Sequence, residues 1–142
     1  RMGMQNKITL DGAKKLIGKI EQEALRRGKK AVIAVCGPEG NPIAVHVMDG
    51  AFLVSFDVAL KKAYTSVAVK MSTMELSALA QPGGTFYGVD KMDGGKIVIF
   101  GGGVPLKSED TIIGGLGISG GTGEEDHSLA EYGLSVLPEI LG

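Results

Sequence analysis

Residues 96–126 run KIVIFGGGVPLKSEDTIIGGLGISGGTGEED, and eleven of the chain's 23 glycines fall between Gly94 and Gly123. Two β-branched runs, Ile97-Val98-Ile99 and Thr111-Ile112-Ile113, flank Gly101-Gly102-Gly103-Val104-Pro105-Leu106 and an acidic turn. The pattern predicts a hairpin: β-branched residues suit a pleated backbone, and glycines inside strands mark places where something comes close to the main chain. A helix of the same protein, a neighbouring subunit or a ligand would each satisfy that condition. The stretch alone does not choose among them.

Gly115-Leu116-Gly117-Ile118-Ser119-Gly120 fits the G-x-G-x-x-G spacing of a dinucleotide loop. The chemistry around it points elsewhere. Glu124, Glu125 and Asp126 open the next helix, where their charge complements the helix dipole and repels a pyrophosphate. The 22 residues beyond Gly120 also leave no room for a second parallel strand of a βαβ unit.

Working outward, Thr9 is placed to cap a helix whose apolar stripe is Ala13, Leu16, Ile17, Ile20 and Ala24, with Gly28 as its stop. Ala31–Cys36 and Ile43–Met48 read as a hairpin around Gly37–Asn41. Ser55 is expected to cap a helix from Phe56 to about Met71. Its Ala59 and Ala63 are small enough to sit close to a sheet. Ser72 and Glu75 form a capping box for a short helix ended by Pro82-Gly83-Gly84. Thr85-Phe86-Tyr87 is expected to be a short strand. Thr122 and Glu125 form a second capping box, opening a last helix from Glu124 to about Leu137. The order predicts an α+β fold: helices packed on a mainly antiparallel sheet.

At 142 residues the chain fits one domain, taken as residues 1–142, with 1–7 as a flexible start and Arg1 as a cloning remnant. Hydrophobic content of 44% and charged content of 22% are ordinary for a globular protein, and no apolar run approaches a membrane span. A cytoplasmic protein is expected, with an exported mature form left open. Residues 1–70 carry 12 basic against 6 acidic side chains and residues 71–142 carry 3 against 10. That asymmetry can steer an anionic ligand or align subunits. Absence of Trp and of basic-aromatic stacking argues against nucleic acid as a partner.

Cys36 is the sole cysteine, so it forms no disulfide within the chain. With only His46 and His127, no protein-only metal site is expected; either histidine could serve as a single axial ligand to a haem iron. Asp49, Asp57, Lys62 and Tyr64 are the other polar residues of interest. Lys62 is expected either in an ion pair with Asp49 or Asp126 or facing a ligand carboxylate.

Met48-Asp49-Gly50-Ala51, Ala59 to Thr65, Pro82-Gly83-Gly84, Phe100 to Leu106, Ile113 to Thr122, Asp126 and Ala130-Glu131-Tyr132-Gly133 together resemble the GlcG/HbpS-like family. That family includes the C-terminal domain of PduO-type corrinoid adenosyltransferases. The resemblance implies a bacterial protein of three-layer α/β/α, profilin-like fold with a five-stranded, mainly antiparallel sheet, in a homo-oligomer. It also implies haem or a related tetrapyrrole as ligand. The histidine it suggests near the first helix is missing between Ile8 and Gly28, so His46, His127, Tyr64 or Met48 would have to replace it. The expected ligand-binding set is His46, Asp49, Lys62, Tyr64, Gly101, Gly102, Gly103, Pro105 and His127. Two other functions are carried beside this one: an enzyme or accessory factor for a small hydroxy acid or aldehyde in glycolate or diol metabolism, and a structural oligomer without a ligand.

Overall fold

The computed structural model describes residues 6–142, so most of the expected flexible start at 1–7 lies outside the described residues. Helix α1 (Leu10–Arg26) begins where the Thr9 hydroxyl accepts the Gly12 N–H at 2.9 Å, and it buries the predicted stripe Ala13, Leu16, Ile17, Ile20 and Ala24. Strands β1 (Val32–Cys36) and β2 (Pro42–Val47) form the first hairpin.

Helix α2 (Ser55–Val69) follows. Ser55 is its first residue and Val54 its N-cap, without a side-chain cap, which corrects the expected Ser55 cap. Lys70, in the left-handed conformation at φ 58°, closes it. Helix α3 (Thr73–Leu79) and helix α4 (Gly123–Leu141) both start on the predicted capping boxes, Ser72/Glu75 and Thr122/Glu125.

The second hairpin differs from expectation. Its strands are β3 (Gly103–Ser108) and β4 (Thr111–Ser119), with Glu109 and Asp110 between them. Ile97-Val98-Ile99 is not a strand. The Thr65 hydroxyl donates to the Lys96 carbonyl and accepts from the Val98 N–H, so a side chain of α2 stands in for a strand partner. Thr85-Phe86-Tyr87 lies in turns, where Phe86 N–H bonds back to the Leu79 carbonyl. The sheet therefore has four strands rather than five among the described residues, ordered β2-β1-β4-β3 and antiparallel throughout.

Register divides the sheet into two unlike faces. Ile33, Val35, Val104, Leu106, Leu116 and Ile118 point toward α1 and α4 and form the main core with Leu16, Ile17, Ile20 and Leu129. Val32, Ala34, Gly103, Gly115 and Gly117 point toward α2. A Cβ on Gly117 would overlap the Ala59 carbonyl oxygen, and one on Gly115 would come 2.8 Å from Ser66 Oγ and collide with the Ala63 carbonyl. A Cβ on Gly103 would strike the Lys62 carbonyl. The close approach announced by the glycines is thus made by the backbone of α2.

Candidate functional site

Two polar arrangements stand out once α2 and α4 are in place. Lys62 projects from α2 toward the start of α4 and is 1% exposed. Its ammonium donates to the Ile118 carbonyl at 2.8 Å and to Asp126 Oδ2 at 3.0 Å, and it lies 5.4 Å from the centre of the Phe100 ring. The other Asp126 oxygen accepts the Gly121 N–H at 2.9 Å. Burial pushes the Lys62 ammonium below the ordinary lysine range and the Asp126 carboxyl above the carboxylate range, each against the pull of the other. Gly102, at φ 129°, lets the loop close over the pair, since a Cβ there would sit 2.7 Å from Lys62 Nζ. Gly101 packs against Met74 and the Gly123 carbonyl.

The second arrangement is a groove of about 720 Å³ between β3, α4 and the α2–α3 junction. Its apolar walls include Val104, Pro105, Leu134, Leu137 and Pro138. His127 enters it from the first turns of α4. Asp126 turns inward to Lys62; its neighbour, about 100° further round the helix, turns toward the groove. The His127 side chain is 22% exposed; Nε2 lies 3.5 Å from Glu131 Oε2, one turn on, and Nδ1 is buried without a hydrogen-bond partner among the described residues. Met71 also lines the groove, and Lys70 and Lys107 stand on its rim.

The expected site residues are therefore divided among several places. Lys62, Gly101, Gly102 and Gly103 surround the buried ion pair, while Pro105 and His127 meet in the groove. His46 is exposed on β2 beside Glu21 of α1, and Asp49 is exposed in the turn after β2. Tyr64 donates to Asp93, whose carboxylate holds the phenol above its ordinary range, and Lys96 lies 4.8 Å over its ring. Sequence reading did not single out Met71, Lys70, Lys107 or Leu134 as site residues. Only the spacing of His127 and Glu131, four apart on one helix, could have flagged a contact. Among the described residues no cluster of three or more His, Cys, Asp or Glu could hold a metal, and no helix is long and apolar enough to cross a membrane.

Comparison with known proteins identifies the family. Residues 8–135 match the family described as haem degrading protein HbpS-like. The chain is 40% identical over 133 residues to an uncharacterised 15.0 kDa protein from the dhaT-dhaS intergenic region of Citrobacter freundii, covering 94% of each. It is 42% identical over 106 residues to the corrinoid adenosyltransferase PduO of the same organism, covering 75% of this chain but spanning only 32% of that enzyme. Its fold superposes on a PduOC:haem complex with a TM-score of 0.86 at 36% identity, covering 91% of this chain and 94% of that one. The chain belongs to the HbpS-like family.

Proposed function

We propose that this protein binds haem or a closely related tetrapyrrole in the groove between β3 and α4, with His127 as the iron ligand and the chain assembled as a homo-oligomer. The observation that carries the reading is the half-buried His127 imidazole, whose Nδ1 has no partner among the described residues, set beside the apolar wall of Val104, Pro105, Leu134 and Leu137 in a groove of about 720 Å³. That volume falls within the roughly 300–1,000 Å³ of small-molecule sites, and here seven apolar residues share the lining with two lysines, two serines, His127 and the glutamates Glu75, Glu109 and Glu131. A solved relative of 36% identity carries haem, which supports the ligand class. The groups suited to haem are the His127 imidazole lining the groove, with Nδ1 enclosed and Nε2 3.5 Å from Glu131, a thioether at Met71, and the exposed Lys70 and Lys107 to meet propionates. Haem held there would supply an iron for redox or gas chemistry. The chain's own part is to ligate it, shield it with Leu134 and Leu137, and neutralise its carboxylates.

The hydroxy-acid enzyme has no comparable support. Lys62 and Tyr64 share α2 but engage separate partners, Ile118 and Asp126 for Lys62 and Asp93 for Tyr64, and Asp49 is exposed in the turn after β2. Titration with haemin tests the proposal: a saturable, red-shifted Soret band is expected in the wild type and in His46→Ala, and its loss or displacement in His127→Ala. No shift in the wild type overturns haem binding, and an unchanged spectrum in His127→Ala overturns the ligand.

A further inference from the structure

All four phenylalanines of the chain, Phe52, Phe56, Phe86 and Phe100, are exposed, and every buried hydrophobic residue among those described is aliphatic or cysteine. Aromatic side chains carry the largest apolar area a residue can bury, so a fold that leaves its phenylalanines outside offers surface that a partner can cover. Two of them, Phe52 and Phe56, sit at the corner where β2 runs into α2. Between Val47 and Phe56 the chain exposes Val47, Phe52, Leu53, Val54 and Phe56, with Leu53 96% and Phe52 70% accessible. Scattered exposed leucines are ordinary, but a continuous run of this kind is not.

We infer that this corner is the contact through which two copies of the chain associate about a twofold axis. The inference rests on the self-association just proposed and names its surface. Three observations favour a second copy over an unlike partner. First, the charges around the patch balance: exposed Lys30 lies against Gly50 beside Asp49, and Asp57 pairs with Lys61 at 3.0 Å. A patch with two acids and two bases can meet its own image with opposite charges facing and no net repulsion. Second, taking about 150–200 Å² for each whole side chain, the five residues leave on the order of 500–600 Å² exposed. A standard interface buries about 800 Å² per partner, of which a little over half is apolar, so the patch is large enough to anchor one. Third, β2 is an outer strand of the sheet, and beyond its first residue, Pro42, it carries no lysine or proline to guard the open edge beside the patch.

Sedimentation equilibrium of the whole chain at micromolar concentration tests this. The wild type is expected to be an even-numbered oligomer. Leu53→Lys should weaken its association roughly tenfold or more, as loss of a central anchor does. Because Leu53 is almost wholly outside the core, that variant should keep the wild-type far-UV circular dichroism and so the fold; Phe52→Asp supplies an independent second variant. A monomeric wild type overturns both this contact and self-association itself. An oligomer whose mass is unchanged by Leu53→Lys and by Phe52→Asp overturns the contact alone.

Discussion

The two faces of the sheet solve the same packing problem with opposite materials. Toward α1 and α4 the strands present Leu106, Leu116 and Ile118, and the helices answer with Leu16, Ile17, Ile20 and Leu129. Burial of long aliphatic chains holds that face, at about 25 cal/mol for each Å² removed from water. Toward α2 the strands present Gly103, Gly115 and Gly117, and the helix answers with Ala59 and Ala63. Little apolar side chain is available there, so cohesion comes from backbone-to-backbone contact and from fixed polar links. Those links are the buried Lys62–Asp126 pair, Thr65 on the 96–98 segment, and Thr73 Oγ1 accepting the Gly103 N–H at 2.9 Å. One face tolerates small changes of volume, while the other has no volume to give.

The sharpest way to break the contrast is Gly117→Val. Its new carbons would occupy the place of the Ala59 carbonyl, and overpacking of a face made of backbone is expected to cost about 3 kcal/mol or more. Chemical denaturation should show a variant unfolded or nearly so; a wild-type midpoint would mean that α2 does not press on β4 as described.

Next in size is the polar link. Lys62→Met leaves Asp126 buried without its partner and is expected to cost about 3–5 kcal/mol, whereas Lys62→Met with Asp126→Leu should recover most of that loss. The pair also leaves a mark on pH dependence. Burial holds the folded Lys62 pKa below the ordinary 10.5, so between the two values the unfolded chain binds more protons and stability should rise with pH. Denaturant midpoints measured up to pH 10.5 should show that rise in the wild type and a flatter profile in the double variant.

The smallest effect comes from a glycine with no such duty. Gly18 sits within α1 with nothing in reach of an added Cβ, so Gly18→Ala should stabilise by about 0.5–1 kcal/mol, read as a raised melting temperature. Destabilisation instead would place an undetected neighbour against that turn.

Much of this was readable before any coordinates. The apolar stripe of α1, both capping boxes and the first hairpin are written in local spacing, and local hydrogen bonds honour them. The run Ile97-Val98-Ile99 misled because β-branching favours an extended chain without saying what it pairs with. Here the partner is the Thr65 hydroxyl, 33 residues away from Val98. The glycines announced a close approach, but only the register of β3 on β4 shows which of them share a face and that α2 fills it. His46 lies between Val45 and Val47 and His127 between Asp126 and Ser128, and neither setting states which histidine is exposed. Their difference in exposure arises from α4 lying over β3 while β2 stays at the edge, which is a property of the assembled sheet.

The strand order has a kinetic consequence. Each hairpin closes over a short loop, but β1 meets β4 only when Val32 finds Ser119 across most of the chain, and the main core spans that seam. Non-local pairing of this kind slows folding, because the loop entropy is spent before any contact across the seam rewards it. Until the last strand settles beside the first, the glycine row of β4 and the alanines of α2 have nothing to grip. Refolding should therefore show helix signal from α1 and α4 ahead of protection of the Leu116 and Ile118 amides, with the seam as the final event to form and the first to open.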